Sequence, residues 1–160
     1  MTTIDEQLQI LIQDAPADGV TPKVMTDAIA PILKLFAERL DHPEYFVLQT
    51  LDYGWVVTTL SNREQPEQQK KVVSAFPTLQ DAKNAQGSAD LQIMAMSIPV
   101  THILFRLFAL REVDSAIFME SPNNPSALKE VKREDLQKLV QIQLQNLGLV
   151  PKTNIPPDIA

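Results

Sequence analysis

The chain has 160 residues, 44% of them hydrophobic and 21% charged, the length and composition of one ordinary globular domain able to bury a core. A formal net charge of −6 opposes binding to a phosphate backbone and argues against a nucleic-acid partner. With no cysteine there is no disulfide framework, no thiol nucleophile and no thiolate metal site, which fits a reducing compartment.

The first residues, MTTIDEQLQILIQD, are acidic and do not read as a signal peptide. Thr3 and Glu6 have capping-box spacing, and Ile4, Leu8, Leu11 and Ile12 then mark one face of a helix ending near Ala15. Thr21 as cap and Pro22 at the first helical position open a second helix, with Met25, Ile29, Ile32, Phe36 and Leu40 as its stripe. Pro31 lies inside that stripe, lacks a backbone donor and crowds the carbonyl of Asp27, so a kink or break is expected between Asp27 and Pro31.

After His42-Pro43 the texture turns to strand. YFVLQTL and WVVTTLS flank the turn DYG and predict a hairpin, with the glycine supplying any positive φ. KKVVSAF predicts a third strand, and Thr78 with Asp81 three residues on caps a short helix. LQIMAMS is a fourth strand, the run from Pro99 to Leu110 a buried helix, and SAIFME a fifth strand. The passage SPNNPSALKEVKREDL then reads as a turn leading into a charged helix, whose apolar side holds Leu136, Leu139, Val140, Leu144 and Leu147 and which stops at Gly148. Gln143 is a polar exception on that side. The apolar passage from Leu91 to Leu110 is interrupted by Pro99, His102 and Arg106 and predicts no membrane span.

This order predicts an α+β fold: a two-layer mixed sheet of about five strands packed against helices, with a helical pair over residues 3–40 preceding it. Residues 1–148 form the single expected domain. Residues 149–160, with three prolines in the last ten, form an extended or disordered tail. The β-helix-β unit from Leu91 to Glu120 predicts a crossover connection, with the fourth and fifth strands as neighbours around the helix.

From Tyr45 onward the chain resembles the N-terminal domain of the SseB, or enhanced serine sensitivity, family. The resemblance is carried by KKVVSAFPTLQDAKN, by LQIMAMSIPVTHILFRL, by SAIFMESPNN and by the closing REDLQKLV, and covers roughly residues 45–147. The chain departs from that pattern in the proline directly after Phe76, in the prolines around Asn123 and Asn124, and in its two added N-terminal helices. The resemblance implies a regulatory or interaction role and no catalytic residues.

Chemistry-bearing constellations are sparse. His42 sits in a helix-ending turn with Asp41 and Glu44, and His102 lies on an apolar helix; neither pattern predicts a metal site. No nucleophile elbow is present, four glycines leave little for a phosphate loop, and the paired carboxylates at helix starts complement helix dipoles. Lys129, Lys132, Arg133 and Lys138 read as a solvated helix face paired with Glu130, Glu134 and Asp135. Asn123 and Asn124 between Pro122 and Pro125 suit a strand-ending turn, the favoured reading, and are also candidate ligand residues because strand ends beside a crossover often border a site.

The functional expectation is a non-catalytic cytoplasmic interaction or regulatory module that binds another protein, with Tyr53 and Trp55 either as aromatic anchors or, with at least equal weight, packed on the two N-terminal helices. Its rival is a small-ligand binder with an apolar pocket between the sheet and helix 99–110, lined by Met94, Met96, Met119 and Phe105. An enzyme ranks third. No cofactor, metal, nucleic acid or membrane is expected, and a homo-oligomer is left open.

Overall fold

The computed structural model describes residues 3–17, 19–61, 64, 67, 69–86, 92–122 and 124–148. The expectation for the C-terminal tail, and that for Asn123, fall outside them. Helix α1 (Ile4–Asp14) opens on the predicted capping box: Glu6 N–H donates to Thr3 Oγ1 at 3.1 Å, and Thr3 N–H to Glu6 Oε1 at 2.9 Å. Both fill groups that a helix N-terminus otherwise leaves unpaired. Thr21 caps the next helix in the same way, by accepting from Val24 N–H.

Pro31 interrupts the α pattern without ending the helix. The chain runs as α2 (Pro22–Val24), a π-helical segment (Met25–Ile29) and α3 (Ala30–Ala37), and the Ala30 amide bonds the Met25 carbonyl five residues back. In a regular α-helix the Asp27 carbonyl would accept from residue 31, which as proline has no hydrogen. Here Gln143 Nε2 donates to that carbonyl at 3.1 Å. The polar exception on the last helix thus satisfies a group that a proline on another helix has released.

The sheet has the order β4-β1-β3-β5-β6, with β2 also pairing with β3. Its strands are β1 (Glu44–Thr50), β2 (Thr58–Ser61), β3 (Gln69–Phe76), β4 (Ile93–Pro99), β5 (Ser115–Ser121) and β6 (Asn124–Lys132). Between them lie α4 (Leu79–Gln86), capped as predicted by Thr78 accepting from Asp81 N–H at 3.1 Å, and α5 (Val100–Ala109); α6 (Arg133–Asn146) closes the chain. The β3–β5 pair is parallel and the other pairs are antiparallel. The fold is therefore the expected α+β mixed sheet against helices.

Four expectations change in detail. First, the stretch after β5 is a strand: β6 pairs with β5 from Ser121↔Asn124 to Ser115↔Lys132, with a register shift between Met119 and Ser121. Second, β4 and β5 run in the same direction but are not neighbours, because β1 and β3 lie between them. Third, the DYG hairpin is short. Past Gln49↔Trp55 and the bond from Val56 N–H to the Leu48 carbonyl, the returning arm leaves β1, and β2 pairs with β3 instead. Fourth, the positive φ in that turn belongs to Tyr53, at 66°, rather than to Gly54.

Side chains alternate across the sheet. One face carries Tyr45 and Val47 of β1, Val73 and Ala75 of β3, Ala116 and Phe118 of β5 and Val131 of β6, all in one core with α1, α3, α5 and α6. The N-terminal helices dock in cis. Gln7 is fully buried, donates from Nε2 to the Pro43 carbonyl at 2.8 Å, and accepts from Thr101 N–H at 3.1 Å and Thr101 Oγ1 at 2.9 Å. It thereby caps the first turn of α5 from another helix. On the opposite face Val72 and Phe76 are buried outside that core, together with Ala82 of α4.

Candidate partner-binding surface

Because β3 and β5 run parallel and adjacent, their C-terminal ends, Phe76 and Ser121, lie side by side, where crossover connections leave room for ligands. A crevice of about 360 Å³ opens there to solvent on the second sheet face. Its floor is Phe76 and Met119; α4 forms one wall with Asp81, Asn84 and Ala85, and Ser121 with Asn124 the other. Local hydrogen bonds hold the polar rim. Asn124 Oδ1 accepts from Ser126 N–H and Oγ, Asn84 Oδ1 accepts from Gln80 Nε2, and Thr78 Oγ1 donates to Asp81 Oδ2.

Helix α4 packs over β1, β3 and β4. Beyond the crevice the second face continues over β5 and β6 as Ile117 and Met119, both half-buried, and Leu128, 46% exposed and directly opposite Met119 across the strands. Ser74 of β3 adjoins Ile117. The Lys70–Glu130 ion pair borders this strip. Among the described residues this apolar strip is left uncovered by α4 and runs into the open crevice.

The structure gathers only some of the predicted site residues. Met119 and Asn124 line the crevice. Met94 and Met96 do not join Met119: they lie on the edge strand β4, and Met96, paired with Val47, is on the core face whereas Met119 is on the other. Phe105 packs against the helical core and stacks on Phe108 at 6.3 Å. Tyr53 is exposed, but Trp55 is only 8% exposed, with the Arg106 guanidinium 4.7 Å above its ring. Trp55 is thus a core residue covered by α5 and no surface anchor. The basic cluster also comes apart. Lys129 and Glu130 sit on opposite faces of β6, where the i, i+4 pairing of a helix does not apply.

A second polar site was not foreseen. Glu120 stands at a core-facing position of β5 and is 6% exposed. Its carboxylate accepts from Tyr45 OH and from Asp41 N–H, and Lys129 Nζ lies 3.3 Å from it while also bonding Asp41. Burial first, and the Glu120 carboxylate second, push the Tyr45 hydroxyl well above the usual phenol range. The hydrogen bond to Asp41, with help from Glu120, raises the Lys129 ammonium. His42 Nε2 donates to the Glu120 carbonyl at 2.7 Å and stands edge-on to the Tyr45 ring. The network ties the end of α3 to β1, β5 and β6, and its groups are engaged with one another. One signal was legible: in SAIFMES, Glu120 falls two residues after Phe118, on the apolar side of the alternation.

Among the described residues no group of three or more histidine, aspartate or glutamate side chains is placed to hold a metal ion. None of the described helices is long and apolar enough to cross a membrane. No family model matches the chain, and no curated protein matches it.

Proposed function

We propose that this chain is a non-catalytic cytoplasmic interaction or regulatory module, and that it binds another protein through the β5–β6 part of its second sheet face. The observation that carries this reading is the incomplete cover of that face among the described residues: α4 shields β4, β1 and β3, while Ile117, Met119 and Leu128 form an apolar strip beside an open crevice. Such a strip suits a partner's apolar side chains better than a small molecule, which buries most of its surface in a closed pocket. The engagement of Glu120, Tyr45 and His42 with internal partners supports a non-catalytic role. The SseB-like pattern over residues 45–147 supports the regulatory flavour, and the lack of cysteine supports the compartment.

The test compares the full chain with Leu128→Glu and Met119→Lys, each checked for an unchanged melting temperature. A protein that co-purifies with the parent chain and is lost from both variants is the expected result. Retention of that protein by both variants overturns the surface. A second reading has its own support, because Asn84, Asn124 and Asp81 converge on the apolar floor of Phe76 and Met119. A small polar-headed ligand seated there would raise the melting temperature of the parent chain and not that of Asn84→Ala.

A further inference from the structure

The two edges of the sheet differ in chemistry. At one edge β6 carries Lys129, Glu130 and Lys132, charges of the kind that keep an edge from pairing with another chain. At the other, β4 has the sequence IMAMSIP, seven residues without a charge, and pairs with β1 along its whole length without a bulge. An even, uncharged edge strand presents unpaired amides and carbonyls as a template for another strand.

The register of β4 fixes which groups these are. Val100 N–H donates to the Pro43 carbonyl, so residue 100 points its backbone groups toward β1. Backbone groups alternate in direction along an antiparallel strand. Met94, Met96 and Ile98 therefore bond β1, and Ile93, Ala95 and Ser97 direct their amides and carbonyls outward. Pro99 is next in the outward series and has no amide hydrogen. An antiparallel partner that uses all three outward residues and leaves Pro99 outside the ladder has one register with itself: Ala95 opposite Ala95, and Ile93 opposite Ser97. That register sets Met94 beside Met96 of the other copy, which covers two half-buried methionines.

We propose that β4 is a self-pairing edge, and that a second copy of this chain adds its β4 antiparallel about a two-fold axis at Ala95 to give one continuous sheet. The strand itself selects this occupant: a second copy brings the same three outward residues and the same Pro99 limit, so each copy's outward groups meet matching ones and Met94 and Met96 cover each other. Each copy carries a net −6, which disfavours contacts elsewhere on the surface, and no register of β4 on itself opposes like charges. The β4 edge lies at the far side of the sheet from the β5–β6 strip and shares no residue with the crevice, so self-pairing there is independent of the partner proposed above.

Sedimentation of the full chain over a concentration series tests it, with amide hydrogen exchange read at the low and high ends. A monomer–dimer equilibrium is expected. On dimerisation the Ala95 and Ser97 amides become protected, while Met94 and Met96, bonded to β1, are protected at both concentrations. Ala95→Pro removes only an outward donor and should weaken the dimer at least about tenfold. If that variant does not fold, the exchange pattern of the parent chain decides alone. A chain monomeric at every concentration, or a dimer whose Ala95 and Ser97 amides exchange as in the monomer, overturns the proposal. The second result would assign the contact to another surface.

Discussion

Gln143 interrupts the apolar stripe of α6, and pattern alone would favour leucine there. Gln143→Leu removes the donor to the Asp27 carbonyl, whose usual helical donor is replaced by Pro31. Taking a side-chain donor away from a partly buried carbonyl costs about 1–3 kcal/mol, toward the lower end where solvent reaches it. The additional apolar burial of a half-buried leucine returns at most about 1 kcal/mol. In the Pro31→Ala background the amide of residue 31 regains its hydrogen, and the same leucine becomes neutral or favourable. The double-mutant cycle should therefore show a coupling of about 1 kcal/mol between two helices far apart in sequence. That corresponds to roughly 2–4 °C in melting temperature for a chain of this size. Urea unfolding of the four proteins measures it. Additivity to within about 0.3 kcal/mol would refute the pairing of proline and glutamine.

Tyr53 holds a left-handed φ of 66° with its side chain exposed, so Tyr53→Gly should stabilise the chain by roughly 1 kcal/mol, and a fall in melting temperature would contradict this. Tyr45→Phe deprives the buried Glu120 of a donor and should cost about 2 kcal/mol by denaturant unfolding. Tyr45 and Lys129 both have folded-state pKa values raised above their ordinary 10.0 and 10.5. The stability they contribute is complete below those values and is lost as pH rises past about 10. Melting temperature should decline there in the parent chain and decline less in a Tyr45→Phe, Lys129→Met variant. Zinc at stoichiometric concentration should leave the melting temperature unchanged, since His42 and His102 each bond a backbone carbonyl; a shift abolished by His42→Ala would reverse that reading.

Local signals carried most of the fold. The capping residues Thr3, Thr21 and Thr78, the 3.6-residue stripes and the β-branched runs all act through neighbours in sequence, and each produced its element. What escaped was set by distant groups. The stretch ALKEVK has helix-forming residues and a charged, i, i+4 look, yet β5 offers it a ladder, and tertiary pairing outweighs propensity. Sheet order also escaped, because nothing local to β4 states that β1 and β3 will stand between it and β5. The crevice followed from that order: Phe76 and Met119 meet only because β3 and β5 are parallel neighbours. Trp55 near a turn looked like an anchor until α5 brought Arg106 over it. Gln7 and Glu120 each break an otherwise apolar environment, and in each the breaking residue joins separate elements.

Strand order also sets a timetable for synthesis. Both neighbours of β1 arrive later, β3 with residue 76 and β4 with residue 99, and Gln7 waits for Thr101, 94 positions downstream. At about 5–20 residues per second, the interval between completing β1 and completing β4 lasts roughly 2–10 s. Over that time Tyr45, Val47 and the apolar face of α1 are on the ribosome without their final cover. A nascent chain arrested before Ile93 would have every N-terminal element and no means to close the sheet around β1, and would present itself to chaperones and proteases as unfinished.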